Sequence, residues 1–320
     1  LGKIGRPDGR PASISDLERY RRLVKELAAC RSAVHSDRPI ARLLHKRRRK
    51  ALLARLDREW PGGAVLHETG DHVFVPRPLD ARGRACLLYP PRAHPAALAF
   101  LPDGGVAIDV GANLGEWALP LARRVGAGGR LYAFEPQPHI RGALGESLRL
   151  NNLTQASLLP YAVSDREGES MMALPQVTSS AVDSGQAHLG APGSGEIGLA
   201  VETVTLDGFA TRKGLTRLDL IKIDVEGHER AVLAGAASLL ARFRPVIVLE
   251  IGHETADDRA AIHALLMGSG YGLGGILLDH GIAPAEWDDY RAGRGPFVSG
   301  EVHNLLLLST ALPEATIHGG

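Results

Sequence analysis

The chain has 320 residues, enough for one large α/β domain with an extension or for two units of about 150 residues each. Hydrophobic residues make up 44%, charged residues 23% and aromatic residues 5%, which excludes collagen-like and disordered classes, and no apolar run approaches the ~18 residues of a membrane span. The net charge of +1 hides an asymmetry, since residues 1–60 hold 17 basic and 7 acidic side chains and the remainder is net −9.

Ser15-Asp16-Leu17-Glu18 has the form of a capping box, in which the Ser and Glu side chains each satisfy a free N–H, so a helix is expected to start there. Leu17, Tyr20, Val24, Leu27 and Val34 continue it as one apolar stripe to about His35. A second helical stretch begins at Pro39, carries Ile40, Leu43, Leu44, Leu52, Leu53, Leu56 and Trp60, and ends at Pro61-Gly62-Gly63. Residues 1–62 therefore read as a basic helical extension. Its run His45-Lys46-Arg47-Arg48-Arg49-Lys50 reads as a solvated helix face, or as a contact for nucleic acid, anionic lipid or an acidic partner. Residues 63–100 are rich in turns, with β-like pieces at 72–76 and 85–89, and form a connecting segment.

From Val106 the pattern becomes regular, and residues 101–312 are expected to form the main domain. Strands are predicted at Val106 to Val110, Leu131 to Phe134, Leu158 to Ala162, Leu218 to Ile223, Val246 to Ile251, Ile276 to Leu278 and Asn304 to Leu308. Helices are predicted over about 115–125, 138–151, 227–241 and 257–269. Short β segments around 169–174 and 200–205 flank a Ser/Gly/Pro-rich stretch, 178–198, that reads as a mobile loop or lid. This alternation implies a mostly parallel sheet covered by helices on both faces. Cys30 and Cys86 are too few for a disulfide framework, and the opening LGKIGRPDGR lacks the succession of a signal peptide, so a cytoplasmic location is expected. Arg outnumbers Lys 31 to 6, a bias that GC-rich codon usage also produces, so no lone arginine is singled out.

Asp109-Val110-Gly111-Ala112-Asn113-Leu114-Gly115 lies between a predicted strand and helix, where glycines allow close backbone approach and a helix start offers free N–H groups. Glu135, 20 residues beyond Gly115, ends the next strand, where a carboxylate can accept both hydroxyls of an adenosine ribose. The turn lacks the G-x-G-x-x-G arrangement for a pyrophosphate. Asp109 suits a ligand ammonium instead, which points to S-adenosylmethionine rather than NAD. No G-x-S-x-G elbow or Walker loop is present.

At this point the sequence resembles the FkbM family of class I methyltransferases. The resemblance rests on VAIDVGANLGEW (106–117), LYAFEPQP (131–138), Asn151-Asn152, YAVSDREGE (161–169), VETVTLDGF (201–209), LDLIKIDVEGHERAVLAGA (218–236) and PVIVLEI (245–251), in that order over roughly 100–310. It implies a Rossmann-like class I methyltransferase fold with a seven-stranded sheet. It also implies S-adenosylmethionine as cofactor, with Asp109, Gly111, Asn113 and Gly115 around its methionine part, Glu135 on its ribose, and Ala162 or Asp165 near its adenine. The resemblance further implies methylation of an oxygen, on a sugar, polyketide or other secondary metabolite.

The turn Ile223-Asp224-Val225-Glu226-Gly227-His228-Glu229 ends the fourth parallel strand, the edge where ligands bind in open α/β sheets. Asp224 and His228 are candidate general bases, with Lys222 as a catalytic orienting or charge-stabilising group and Glu226 and His253 on the acceptor side. Glu226 and Glu229 can also simply favour the positive end of the following helix. Asp224, Glu226, His228 and His253 could resemble the hard-metal site of catechol-type methyltransferases. Near-consecutive side chains in a tight turn rarely converge on one ion, so no metal is expected. A small-molecule hydroxyl acceptor is the expected partner, and the sequence leaves open whether the chain is a homodimer. An RNA methyltransferase gripping phosphates with the basic hairpin, and a non-catalytic scaffold keeping the fold, are the alternatives.

Overall fold

The computed structural model describes residues 63–67, 69–76, 81–176, 184–278, 281–298 and 303–310, with isolated residues between 22 and 55. A hairpin of β1 (Gly63–Leu66) and β2 (His72–Val75) leads through helices α1 (Ala81–Leu88) and α2 (Pro95–Leu98) to the main sheet. There follow β3 (Val106–Val110), α3 (Ala118–Val125), β4 (Arg130–Phe134), α4 (Pro138–Leu150) and β5 (Ala156–Leu159). Next come β6 (Ala162–Val163), β7 (Gly168–Pro175), β8 (His188–Leu189) and β9 (Glu196–Val204). The chain returns through α5 (Leu206–Lys213), β10 (Leu220–Ile223), α6 (Glu229–Ala234), α7 (Ala237–Phe243), β11 (Val246–Ile251) and α8 (Ala256–Gly268). It closes with β12 (Tyr271–Leu278), β13 (Gly281–Ala283), α9 (Trp287–Ala292) and β14 (His303–Ser309).

Side-chain alternation along the strands builds two cores. Ala107, Leu220, Val246 and Val248 face α3, α4 and the upstream hairpin, while Ile108, Ile221, Ile247 and Leu249 face α5 through α9. The strand order is β13-β12-β14-β11-β10-β3-β4-β5, with β5, β4, β3, β10 and β11 parallel to one another and β14 antiparallel to β11 and β12. This is the class I methyltransferase sheet, extended by the short edge strand β13. The winding reverses between β3 and β10, and a crevice at their carboxyl ends is the place such a sheet binds ligand.

Several elements differ from the sequence reading. Residues 85–89 lie in or beside helix α1 rather than in a strand, because ARGRACLL is made largely of good helix formers. The third strand stops at Leu159, where Pro160 cannot donate to the ladder, and Ala162–Val163 pairs instead with β9 in a second, four-stranded sheet. Within that sheet β7 and β9 pair all the way from Gly168↔Thr203 to Pro175↔Glu196. The expected loop 178–198 is therefore partly regular, with a 3-10 turn at Ser184–Gln186, then β8, then the start of β9. The expected helix 227–241 is two helices, and Asp207 accepts the N–H groups of Ser238 and Leu239 at the start of the second. The glycine-rich stretch before Ile276 is strand, paired with β14 through a bulge between Leu273 and Gly275.

The upstream hairpin is fastened to the main domain through Asn151. Its Oδ1 accepts from the His72 N–H (3.0 Å) and from Arg123 (2.8 Å), and its Nδ2 donates to the His72 and Ser147 carbonyls. Ser147 Oγ accepts the Phe74 N–H at 2.8 Å, and Arg123 donates to the buried Asp71 at 2.6 Å. Val73 and Val75 are inserted in the core shared with α3 and α4. Ser15–Glu18, His45, Lys46 and Arg49 lie outside the described residues. Of that extension, Leu23 and Leu52 join the same core, and Arg47, Arg48 and Lys50 are helical and exposed.

Candidate active site

A cleft lined by both polar and apolar side chains opens at the carboxyl ends of β3, β4 and β10, the kind of place where small molecules bind. One wall is the turn after β3. Gly111 has φ +82, and a Cβ built on it would lie 1.8 Å from the Asp224 carbonyl oxygen, so only glycine lets the β3 and β10 turns approach. Asn113 adopts φ 45 and accepts the Leu114 N–H on its own Oδ1 at 2.8 Å, which bends the chain towards β4. There Glu135 Oε2 accepts the Asn113 N–H at 3.0 Å and Oε1 accepts the Gln137 N–H at 2.8 Å. Burial pushes the Glu135 carboxyl up to about 7 against these two bonds.

Asp109, next to last in β3, is 1% exposed, and its Oδ2 has no hydrogen-bond partner. Burial raises its carboxyl to about 7, with Lys222 pulling the other way. Lys222 sits directly across from Asp109 in β10, also at 1% exposure. Its Nζ donates to Asn304 Oδ1 at 2.6 Å, lies 3.7 Å from Asp224 Oδ2, and stands 5.5 Å from the centre of the Trp117 ring. Glu250 and Asn304 are cross-strand partners in β11 and β14. Asp109 with Lys222, and Glu250 with Asn304, are thus two polar cross-strand pairs, offset by two residues and joined by the hydrogen bond from Lys222 to Asn304.

Beyond these pairs, burial opposes ionisation of Asp224, but Lys222, a hydrogen bond from Glu250 and the nearby Arg82 together hold its carboxyl below the usual range. Glu250 moves up, through burial and the hydrogen bond it shares with Asp224. The two carboxyls therefore share a proton in one hydrogen bond, with Lys222 favouring the charge on Asp224.

Asp109, Gly111, Asn113, Glu135, Ala162, Lys222, Asp224, Glu226 and His228 all line the cleft. Gly115 does not; a Cβ there would meet Leu144 at 2.8 Å, so this glycine serves the packing of α4 against the turn. Asp165 is exposed outside the cleft and accepts from Ser164 Oγ at 3.2 Å, because the chain turns outward after β6. His228 and Ser164 share a hydrogen bond of 2.9 Å, and burial keeps the imidazole below its ordinary pKa while Asp165 pulls it up. His253 sits behind the lining, 3.2 Å from Glu226, and the next helix is capped by Thr255 and Asp258 instead. Glu229 accepts the Gly227 N–H at 3.1 Å in the first turn of α6, where a carboxylate favours the helix.

Of Asp224, Glu226, His228 and His253, weighed together in the sequence as a metal set, the structure brings Asp224 and Glu226 together with Glu250 instead of His228. Glu226, at φ 49, turns back so that oxygens of Asp224, Glu226 and Glu250 lie within 4.8 Å of one another, while His228 is held by Ser164. The sequence reading also missed Arg82, Glu116, Trp117, Tyr161, Met172, Gly185, Ala187 and Leu189 in the lining. Glu116 and Trp117 follow the glycine turn directly and were within reach of a motif reading. The others come from α1 and from in or beside the second sheet, whose position over the cleft no local pattern encodes.

The profile of the FkbM methyltransferase domain matches residues 109–272, about half of the chain, and spans the glycine turn, Glu135 and the turn after β10. The chain belongs to the FkbM methyltransferase family. It is an S-adenosylmethionine-dependent methyltransferase. The methyltransferase sdnD of Sordaria araneosa is 25% identical over 205 residues, 56% of this chain and 78% of that protein. Among solved structures, the methyltransferase FkbM of Methylobacillus flagellatus is 15% identical with a TM-score of 0.41, over 91% of this chain and 60% of that one. An S-adenosylmethionine-dependent O-methyltransferase of Thermotoga maritima is 12% identical with a TM-score of 0.37, over 82% of this chain and 83% of that one. In this FkbM methyltransferase no helix is long and apolar enough to cross a membrane among the described residues.

Proposed function

We propose that this enzyme methylates a hydroxyl oxygen of a small acceptor such as a sugar, polyketide or other secondary metabolite. The observation that carries this reading is Asp224, whose carboxyl follows the end of β10, lines the cleft and lies 3.7 Å from the Lys222 ammonium. An alcohol attacking a methyl group must shed its proton, and Asp224 is placed to take it.

The residues fit the cofactor. The unpartnered Asp109 Oδ2 would receive a ligand ammonium, and each Glu135 oxygen keeps a lone pair for a ribose hydroxyl. Gly111 and Asn113 would bring backbone against the methionine part, and Phe134, Ala162 and Val163 offer apolar surface for the adenine. When bound, S-adenosylmethionine supplies an electrophilic methyl group on a sulfonium. Lys222, anchored by Asn304, favours the charge on Asp224, and Glu250 fixes its orientation through the shared hydrogen bond. His228 is held neutral and tied to Ser164, which leaves it a second proton acceptor at the cleft edge. Glu226, with His253 behind it, borders the acceptor side. Met172, Ala187 and Leu189 give the cleft apolar surface on the side of the second sheet.

The test is incubation of the full-length enzyme with methyl-labelled S-adenosylmethionine and panels of hydroxyl-bearing and amine-bearing acceptors, with products read by mass spectrometry. Methyl ethers are expected. Label found only on nitrogen or carbon would overturn the hydroxyl assignment.

A further inference from the structure

Arg82 lies upstream of the matched family domain, on α1, yet its side chain reaches the cleft. Its Nη1 donates to Glu116 Oε2 at 3.0 Å, and Glu116 belongs to the segment joining the glycine turn to α3. On its other side lies the 3-10 turn Ser184–Gln186. A Cβ built on Gly185 would come within 2.5 Å of Arg82 Nη2 and 2.7 Å of Nε, so the guanidinium packs directly against this glycine backbone. Ala187 and Leu189, which follow that turn, line the cleft beside it. The helix carrying Arg82 is itself anchored, since His67 Nε2 bonds the Cys86 carbonyl at 2.8 Å and the hairpin before it is fastened through Asn151.

We propose that Arg82 is a positioning residue for methyl transfer, which fixes Glu116 and holds the Ser184–Gln186 turn over the acceptor end of the cleft. The upstream segment then completes the active site rather than merely preceding it. Arginine suits the task because its planar guanidinium can pair with a carboxylate in its plane while its edge or face meets a bare glycine, which a lysine ammonium cannot reproduce. Its charge also acts on Asp224, in the same direction as Lys222 and the hydrogen bond from Glu250 and against the burial of the carboxyl. The proposal rests on the reading of Asp224 as the group facing the acceptor.

The experiment compares full-length wild type, R82K, R82Q and E116Q by amide hydrogen exchange and by carbon-13 titration of the Asp224 carboxyl. The probe ligand is S-adenosylhomocysteine. The Gly190 amide, which donates to the Met171 carbonyl at 2.8 Å, reports the turn region. Exchange at Gly190 and its neighbours is expected to accelerate at least tenfold in R82Q, R82K and E116Q, with the main-sheet amides unchanged. Asp224 is expected to titrate at higher pH in R82Q and as wild type in R82K, a separation that lost packing alone does not produce. Unchanged exchange near Gly190 in all three variants, or identical Asp224 titration in R82Q and R82K, would overturn the proposal. If R82Q loosens the whole sheet, R82K and E116Q decide by the same criteria. Failure of the cofactor reading would show separately, as no S-adenosylhomocysteine binding by the wild type.

Discussion

Asn113 donates its backbone N–H to Glu135 Oε2 over 3.0 Å, tying the turn after β3 to the carboxylate after β4. With the Gln137 N–H on the other oxygen, Glu135 is oriented before any ligand arrives. Glu135→Gln keeps the shape but turns an NH₂ towards one of these two donors. The expected cost is about 1–3 kcal/mol of stability for the unsatisfied buried N–H, read as a lower urea midpoint, together with weaker S-adenosylhomocysteine binding. Unchanged values for both would show that the carboxylate orients nothing.

Asp109 and Glu135 ionise near 7 in the folded enzyme, against ordinary values of 3.8 and 4.5, and burial is the main cause for both. The folded state therefore holds more protons than the unfolded chain between about pH 4 and 7. The stability from these groups is fully present below pH ~4 and is lost as pH rises through 7. The ligand-free enzyme should show a Tm that falls from pH 5.5 to 8. An ammonium beside Asp109 favours the ionised form, so S-adenosylhomocysteine should bind more tightly, and raise Tm more, at pH 8 than at pH 6. Asp109→Asn should flatten both trends in scanning calorimetry.

Asp224→Asn removes the proton acceptor but leaves the turn in place. Turnover is expected to fall by roughly 10²–10⁴-fold with S-adenosylhomocysteine affinity within a few fold of wild type. Single-turnover kinetics on an acceptor found in the panel would check this. A matching loss of ligand affinity would assign Asp224 to the cofactor instead.

The glycine turn, Glu135 and the turn after β10 were legible because each joins a short apolar strand to a helix start, a local pattern that a sequence displays directly. Lys222 was legible as a charge set inside the apolar strand Leu220–Ile223. Glu250 in Val-Ile-Val-Leu-Glu-Ile carries that same signal and went unused, as did Asn304 next to the apolar run of β14. Asp165 was misplaced because the switch of sheets after Pro160 depends on pairing with β9, about 40 residues away. Arg82 could not be found: it is one of 31 arginines, and what matters about it is the distant Gly185 and Glu116.

Gly111→Ala should be strongly destabilising, since it combines a Cβ at positive φ with a close contact to the Asp224 carbonyl. The expected loss is about 2–5 kcal/mol from backbone strain plus overpacking, measured by urea denaturation. A change under about 1 kcal/mol would mean that the β3 and β10 turns are not held together as described.

The most direct measurement is calorimetric titration of the full-length protein with S-adenosylhomocysteine, with NAD as control, repeated on Glu135→Ala. Saturable binding of S-adenosylhomocysteine alone is predicted, weakened about 100-fold or more in the variant by the loss of two charge-assisted hydrogen bonds. Binding of NAD, no binding of either ligand, or an unaltered affinity in Glu135→Ala would contradict the cleft assigned between the glycine turn and Glu135.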